Sequence, residues 1–240
     1  MVRKGPLAPG SRHLLVSVLA VCMACSGCVG RNFKAPPSGL LVLGTTSSGD
    51  VVRALGEPYQ QRTRVFAGGQ ATNAPAAGGP FDPALIDGSY TLLVYTFADA
   101  GGAPLVGGIS PARTMALEFW NDRLFYYSLA SSFAVESTNF DETQVSKIEK
   151  GKTSQRDVRD MLGDPSGRAI YPEIQLMNGE KYVYSYSVVQ PREYKAERKR
   201  LEILFDGRGI VVDLQFVANT VRVTDYTIAA TFPLVMPRAR

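Results

Sequence analysis

A fifteen-residue segment occurs twice in this chain of 240 residues, and no other feature limits the fold as strongly. Residues 44–58 (GTTSSGDVVRALGEP) recur as residues 151–165 (GKTSQRDVRDMLGDP), offset by 107 without a gap and identical at eight of fifteen positions. Self-similarity at a fixed period marks one structural unit used twice, so the sequence predicts two tandem modules.

The shared positions describe a short capped helix. Ser47 and Ser154 stand three residues before Asp50 and Asp157, the spacing of a capping box. Val51, Ala54 and Leu55 share one helical face, as do Val158, Met161 and Leu162. Gly56 and Gly163 are suited to a left-handed helix end, and Pro58 and Pro165 prevent the helix from resuming. These are architectural roles, and the Gly-Lys-Ser/Thr signature of a phosphate loop is absent. A second helix is expected before each motif: residues 141–150 carry Val145 and Ile148 on one face, and residues 40–43 form a shorter counterpart.

Alternating patterns follow each motif. The first module carries an Asp87-Gly88 turn, a strand over 90–97, the alternation Met115, Leu117, Phe119, a turn at Asn121-Asp122 and a strand over 124–129. In the second, an Asn178-Gly179 turn precedes a strand over 182–187. The alternation Leu201, Ile203, Phe205, a turn over 206–209 and the alternation Ile210 to Phe216 complete it. The expected fold is α+β: two modules, each a helix pair on a three- or four-stranded antiparallel meander. Residues 67–83 and 101–111 read as Gly/Pro-rich loops, and the apolar stretch 228–236 as a terminal strand or partner-binding tail.

The N-terminus sets the chemistry available. Arg3, Lys4 and Arg12 precede an apolar run over 14–24, and Cys25-Ser26-Gly27-Cys28 places small residues before a cysteine. This is the layout of an export signal, too short to span a bilayer stably. The small-small-Cys ending resembles a lipobox, which makes Cys28 the lipidated first residue of the mature protein. An ordinary cleaved signal and an uncleaved anchor remain open. The resulting division is a signal peptide over 1–27, a tether over 28–37, modules over 38–135 and 136–218, and a tail over 219–240.

Processing would remove His13, the one histidine, together with Cys22 and Cys25. Ser-His-Asp and Cys-His nucleophiles, His/Cys zinc sites and disulfides are then excluded. Of 26 Lys+Arg and 22 Asp+Glu, three basic residues leave with the signal, so the mature balance of 23 to 22 implies no nucleic-acid partner. No cofactor or metal is expected. Catalysis by carboxylates or a Ser-Lys pair survives as a reading, but the acidic residues already serve turns and caps.

Residues 191–200 concentrate Arg192, Lys195, Arg198, Lys199 and Arg200 beside Glu193 and Glu197. The bland reading is a solvated hairpin end; the functional one is a contact for anionic lipid or an acidic partner. Trp120, Tyr126, Tyr127, Tyr184 and Tyr186 are candidate partner anchors, against the usual alternative of sheet packing.

The pattern Val145-x-x-Ile148-x-x-Gly151-x-Thr153-x4-Val158-x3-Leu162-Gly163-Asp164-Pro165 resembles the core of the SmpA/OmlA (BamE-like) outer-membrane lipoprotein family. So do Tyr182-x-Tyr184 and Leu204-Phe205-Asp206-x-x-Gly209. The resemblance covers residues 141–217 well and 38–130 more weakly. It implies a lipidated cysteine ahead of two helices on a three-stranded sheet, and a role beside the machinery that folds outer-membrane β-barrels. The two-module layout is also similar to that of the β-lactamase inhibitory protein, which relies on disulfides that this chain lacks.

The function expected is therefore a non-enzymatic, lipid-anchored module that faces the periplasm at the outer membrane and binds an envelope protein. Val29, which is not the Asp of inner-membrane retention, agrees with that location. The alternative is an inhibitor of an envelope or secreted hydrolase such as a β-lactamase. The residues expected to carry binding are Arg192, Arg198, Lys199, Arg200, Trp120 and Tyr126.

Overall fold

The computed structural model describes residues 28–37, 39–66, 87–99, 111–176, 178–190 and 195–222. The expected loops over 67–83 and 101–110 and the apolar tail lie outside them. Nine strands form one antiparallel sheet: β1 (Cys28–Gly30), β2 (Gln60–Phe66), β3 (Gly88–Asp99), β4 (Ala112–Trp120), β5 (Arg123–Ser131), β6 (Gly167–Ala169), β7 (Glu180–Gln190), β8 (Lys195–Phe205) and β9 (Val211–Arg222). They run in the order β1-β3-β4-β5-β6-β7-β8-β9, and β2 shares the outer edge of β3 with β1.

Both copies of the motif fold alike. α1 (Ser48–Leu55) and α2 (Gln155–Leu162) each span eight residues and each begins with a reciprocal capping box, Ser47 with Asp50 and Ser154 with Asp157. Helices of this length do not hold in water alone. Each is retained by a fully buried valine, Val51 or Val158. Gly56 and Gly163 do take positive φ, 81° and 80°, but with ψ of −173° rather than the left-handed helical value. That region is open essentially only to glycine. It sends the chain out extended, through Pro58 and Pro165, into β2 and β6.

The helix pair is corrected. Residues 142–147 form a 3-10 helix, not an α-helix, and residues 40–43 lie in turn and irregular structure. Thr143, Val145 and Ser146 are weak helix formers in too short a run, and the Asp141 carboxylate accepts from the Thr143 amide instead of sustaining an α-turn. Each half thus sets one α-helix on four strands, β2 to β5 and β6 to β9, and the whole is mostly β.

The alternation positions two cores on the helix-covered face. Leu93, Tyr95, Met115, Leu117 and Phe119 pack with Val51 and Leu124, and Tyr182, Tyr184, Leu201, Ile203 and Phe205 pack with Val158 and Val211. The expected tether is engaged from its start. β1 pairs Cys28 with Asp99, and Phe33, 4% exposed, lies in the first core 5.5 Å from the Tyr95 ring. The charged stretch is strand from Lys195 onward, because β8 begins there, six residues before the alternation expected from Leu201.

Candidate functional site

The two halves meet where β5 pairs with the three-residue β6, matching Tyr126 with Ala169 and Ser128 with Gly167. Gly167 is required there, since a β-carbon would overlap the Tyr127 carbonyl oxygen. On the face away from the helices, Phe125, Tyr126, Ala169 and Val183 form a small third cluster, with Tyr90, Ala116, Trp120 and Ile170 around it. Beside it lies a network of charged groups from the second half that takes in the Tyr126 hydroxyl from the first. The Arg200 guanidinium donates to the Tyr126 hydroxyl at 3.1 Å, the Ser185 hydroxyl at 3.0 Å and the Glu202 carboxylate at 2.8 Å. Lys181 Nζ reaches Glu202 at 2.9 Å and Glu173 at 3.2 Å.

Burial by itself would lower the Arg200 pKa, but Tyr126 and Glu202 hold it above the usual guanidinium value. Burial would likewise raise Glu202, yet Arg200 and Lys181 bring it below the ordinary carboxylate value. An ion network of this kind is costly to desolvate and costlier to break. Its chemistry is that of a clamp: it locks β5, β7 and β8 together.

The six residues singled out from sequence do not form one patch. Tyr126 and Arg200 are brought together, but bonded to each other inside the seam. Trp120 borders the same cluster, 6.1 Å from the Phe66 ring. Arg198 points to the same sheet face as Arg200, half-buried, with its pKa lowered by desolvation. Lys199 faces the opposite side, as strand alternation requires. Arg192 lies outside the described residues. Cys28 begins β1 at the edge of the sheet.

On the helix side, Lys199 sits at the margin of a cleft of about 470 Å³ lined by Asn139, Phe140, Glu142, Tyr186, Glu197 and Thr220, among others. Its ammonium lies 4.7 Å from the Phe140 ring centroid and 5.9 Å from that of Tyr186. It donates to the Phe140 carbonyl at 2.5 Å and approaches Glu142 at 3.6 Å. Register identifies its counterpart in the first half. Tyr186, Lys199 and Ala218 stand side by side across β7, β8 and β9, as Phe97, Arg113 and Ser131 do across β3, β4 and β5. Arg113 is 8% exposed, between Phe33 at 5.7 Å, Phe97 at 5.9 Å and Phe133 at 4.1 Å, with Glu136 at 2.5 Å.

Sequence reasoning missed this pair of cation sites. A signal for it existed, because Asn32-Phe33 and Asn139-Phe140 extend the repeat upstream at the same offset of 107.

Residues 138–214 match the family described as the outer membrane protein assembly factor BamE domain, which bears out the resemblance read from residues 141–217. A crystal structure from Streptococcus mutans, described as that of a candidate beta-lactamase inhibitor protein, is similar at 13% identity and a TM-score of 0.35, covering 72% of this chain and 82% of that chain. No curated protein matches the chain. No helix among the described residues is long and apolar enough to cross a membrane.

Proposed function

We propose that this chain is a lipid-anchored, non-catalytic protein-binding module, built from two copies of one unit, that faces the periplasm and supports outer-membrane protein assembly or envelope integrity. The observation that carries the reading is the match of residues 138–214 to an outer membrane protein assembly factor domain. The lipobox-like ending at Cys28 and the loss of histidine and free thiol on processing support it. In this reading Trp120, Arg198 and Lys199 are contact residues, as is Arg192. Tyr126 and Arg200 shape the surface by holding the seam. Contact between the basic residues of 192–200 and anionic lipid belongs to the same proposal.

Crosslinking in intact envelopes, followed by identification of the captured protein, tests it. Barrel-assembly subunits are the expected catch, and a soluble hydrolase would support the inhibitor reading instead. The anchor is tested separately. Cys28→Ser should abolish fatty-acid labelling and release the protein from membranes, and unchanged labelling would sink the lipoprotein assignment.

A further inference from the structure

The two halves treat their equivalent cations differently. Around Arg113 the cage is closed by three aromatic walls and one carboxylate. Phe133 and Glu136 come from the segment just after β5, with Phe133 stacked on Phe97 at 5.9 Å and 15°. Around Lys199 two walls are kept, since Phe140 stands for Phe33 and Tyr186 for Phe97. Among the described residues the third is missing: the position equivalent to Phe133, two residues beyond the strand position paired with the cation, is Thr220. In its place lies the cleft, lined by Thr220 itself.

β9 does not leave the sheet where β5 does. β5 ends at Ser131, and residues 134–136 turn over the cation as a 3-10 helix. β9 instead stays in the sheet past the equivalent point, pairing Thr220 with Glu197 and Arg222 with Lys195. Glu142 is a weak substitute for Glu136, because it stands 3.6 Å from Lys199 with its side chain 51% exposed. Glu136 lies 2.5 Å from Arg113 and is 16% exposed.

We infer that the cleft beside Lys199 binds a peptide segment of a partner protein that presents an aromatic ring and, three residues later, a carboxylate. The ring fills the place of Phe133 over the ammonium, where a cation meets the negative face of the π-system. The carboxylate takes the place of Glu136. Asp141, Glu142 and Glu197 along the rim disfavour a polyacidic ligand, so the cleft selects one carboxylate in register rather than negative charge in general. The inference rests on the reading of the chain as a protein-binding module and names the chemistry of its partner.

The first half supplies the probe: a synthetic peptide of residues 131–138 (SSFAVEST), titrated into the full chain and followed by NMR. Saturable binding is expected, with shifts at Lys199, Tyr186 and Thr220. Changing Phe133→Ala or Glu136→Gln in the peptide, or Lys199→Met in the protein, should each weaken binding about tenfold, the scale of one charge-assisted contact. Lys199→Arg should retain binding. Thr220→Phe, which builds the missing wall from within, should abolish binding and raise the melting temperature.

Absence of binding at about 1 mM peptide, weaker than any useful affinity, overturns the inference. So does binding indifferent to Lys199→Met, or binding seen only after removal of residues 223–240, which would give the cleft to the chain's own tail. Envelope crosslinking that still captures a partner when the peptide does not bind tells against the cleft alone. Failure of capture tells against the module.

Discussion

The Tyr184 hydroxyl donates to the Gly163 carbonyl at 2.9 Å, and in the other half Tyr95 donates to Gly56 at the same distance. Each bond ties the end of a helix to the central strand beneath it. Each satisfies a carbonyl that the helix itself leaves without a partner. Burial pushes the Tyr95 phenol up to about 12, with Glu57 adding to the effect, and burial raises Tyr184 as well, so both remain donors at neutral pH. Tyr184→Phe should cost about 1–2 kcal/mol by leaving that carbonyl unpaired, and Tyr95→Phe a similar amount. Urea unfolding monitored in both variants checks this, and equal stability to the parent would refute the role.

The seam network makes an asymmetric prediction. Arg200→Ala strands Glu202 without its guanidinium and should cost about 3–5 kcal/mol, whereas Arg200→Met, which fills the space, should cost less. Denaturation midpoints of the two variants provide the comparison. A milder effect for alanine than for methionine would contradict the clamp.

Acid should weaken the same seam. The pKa of Glu202 is depressed in the fold, so its contribution is complete above the ordinary carboxylate value and is lost as pH falls through the folded value. Glu202→Gln should flatten the loss of stability that sets in below about pH 5, where such a group begins to take up its proton. Parallel pH profiles for parent and variant would assign the acid response elsewhere.

Docking of the N-terminal strand depends on one glycine. Gly30 has φ 83°, and a β-carbon there would overlap the Thr96 carbonyl oxygen. Gly30→Val should therefore detach β1 and expose the 97–99 edge of β3. Hydrogen exchange read at that edge should accelerate while the β4–β5 ladder is unchanged. Retained protection would show that β1 tolerates a side chain.

The helix caps should behave as equals. Ser47→Ala and Ser154→Ala each remove an acceptor for the third amide of an eight-residue helix, at about 1 kcal/mol apiece. The two sites share no partner, so the double variant should show the sum. Thermal melts of the three proteins measure it.

What was legible from sequence is local. Caps, helix faces and strand alternation are written in residues a few positions apart, so Ser154-x-x-Asp157 and Leu201-x-Ile203-x-Phe205 announce their structure and their buried side directly. The 3-10 helix over residues 142–147 was misjudged because its apolar spacing fits a helix while its Ser and Thr compete for the backbone. The BamE-like pattern was equally readable, being a spacing of Gly, Leu and Pro that both copies in this chain keep.

Only the tertiary structure decided how the halves join and which face each charge takes. The β5–β6 pairing is made of backbone hydrogen bonds that are the same for every sequence, so no local pattern announces it. It is that pairing which brings Tyr126 to Arg200 across 74 residues and turns two expected contact residues into a clamp. The Lys199 cleft is likewise invisible in the chain, because it exists only as the difference between two aligned strand registers, where Phe133 has a counterpart in Thr220 that cannot cover a cation.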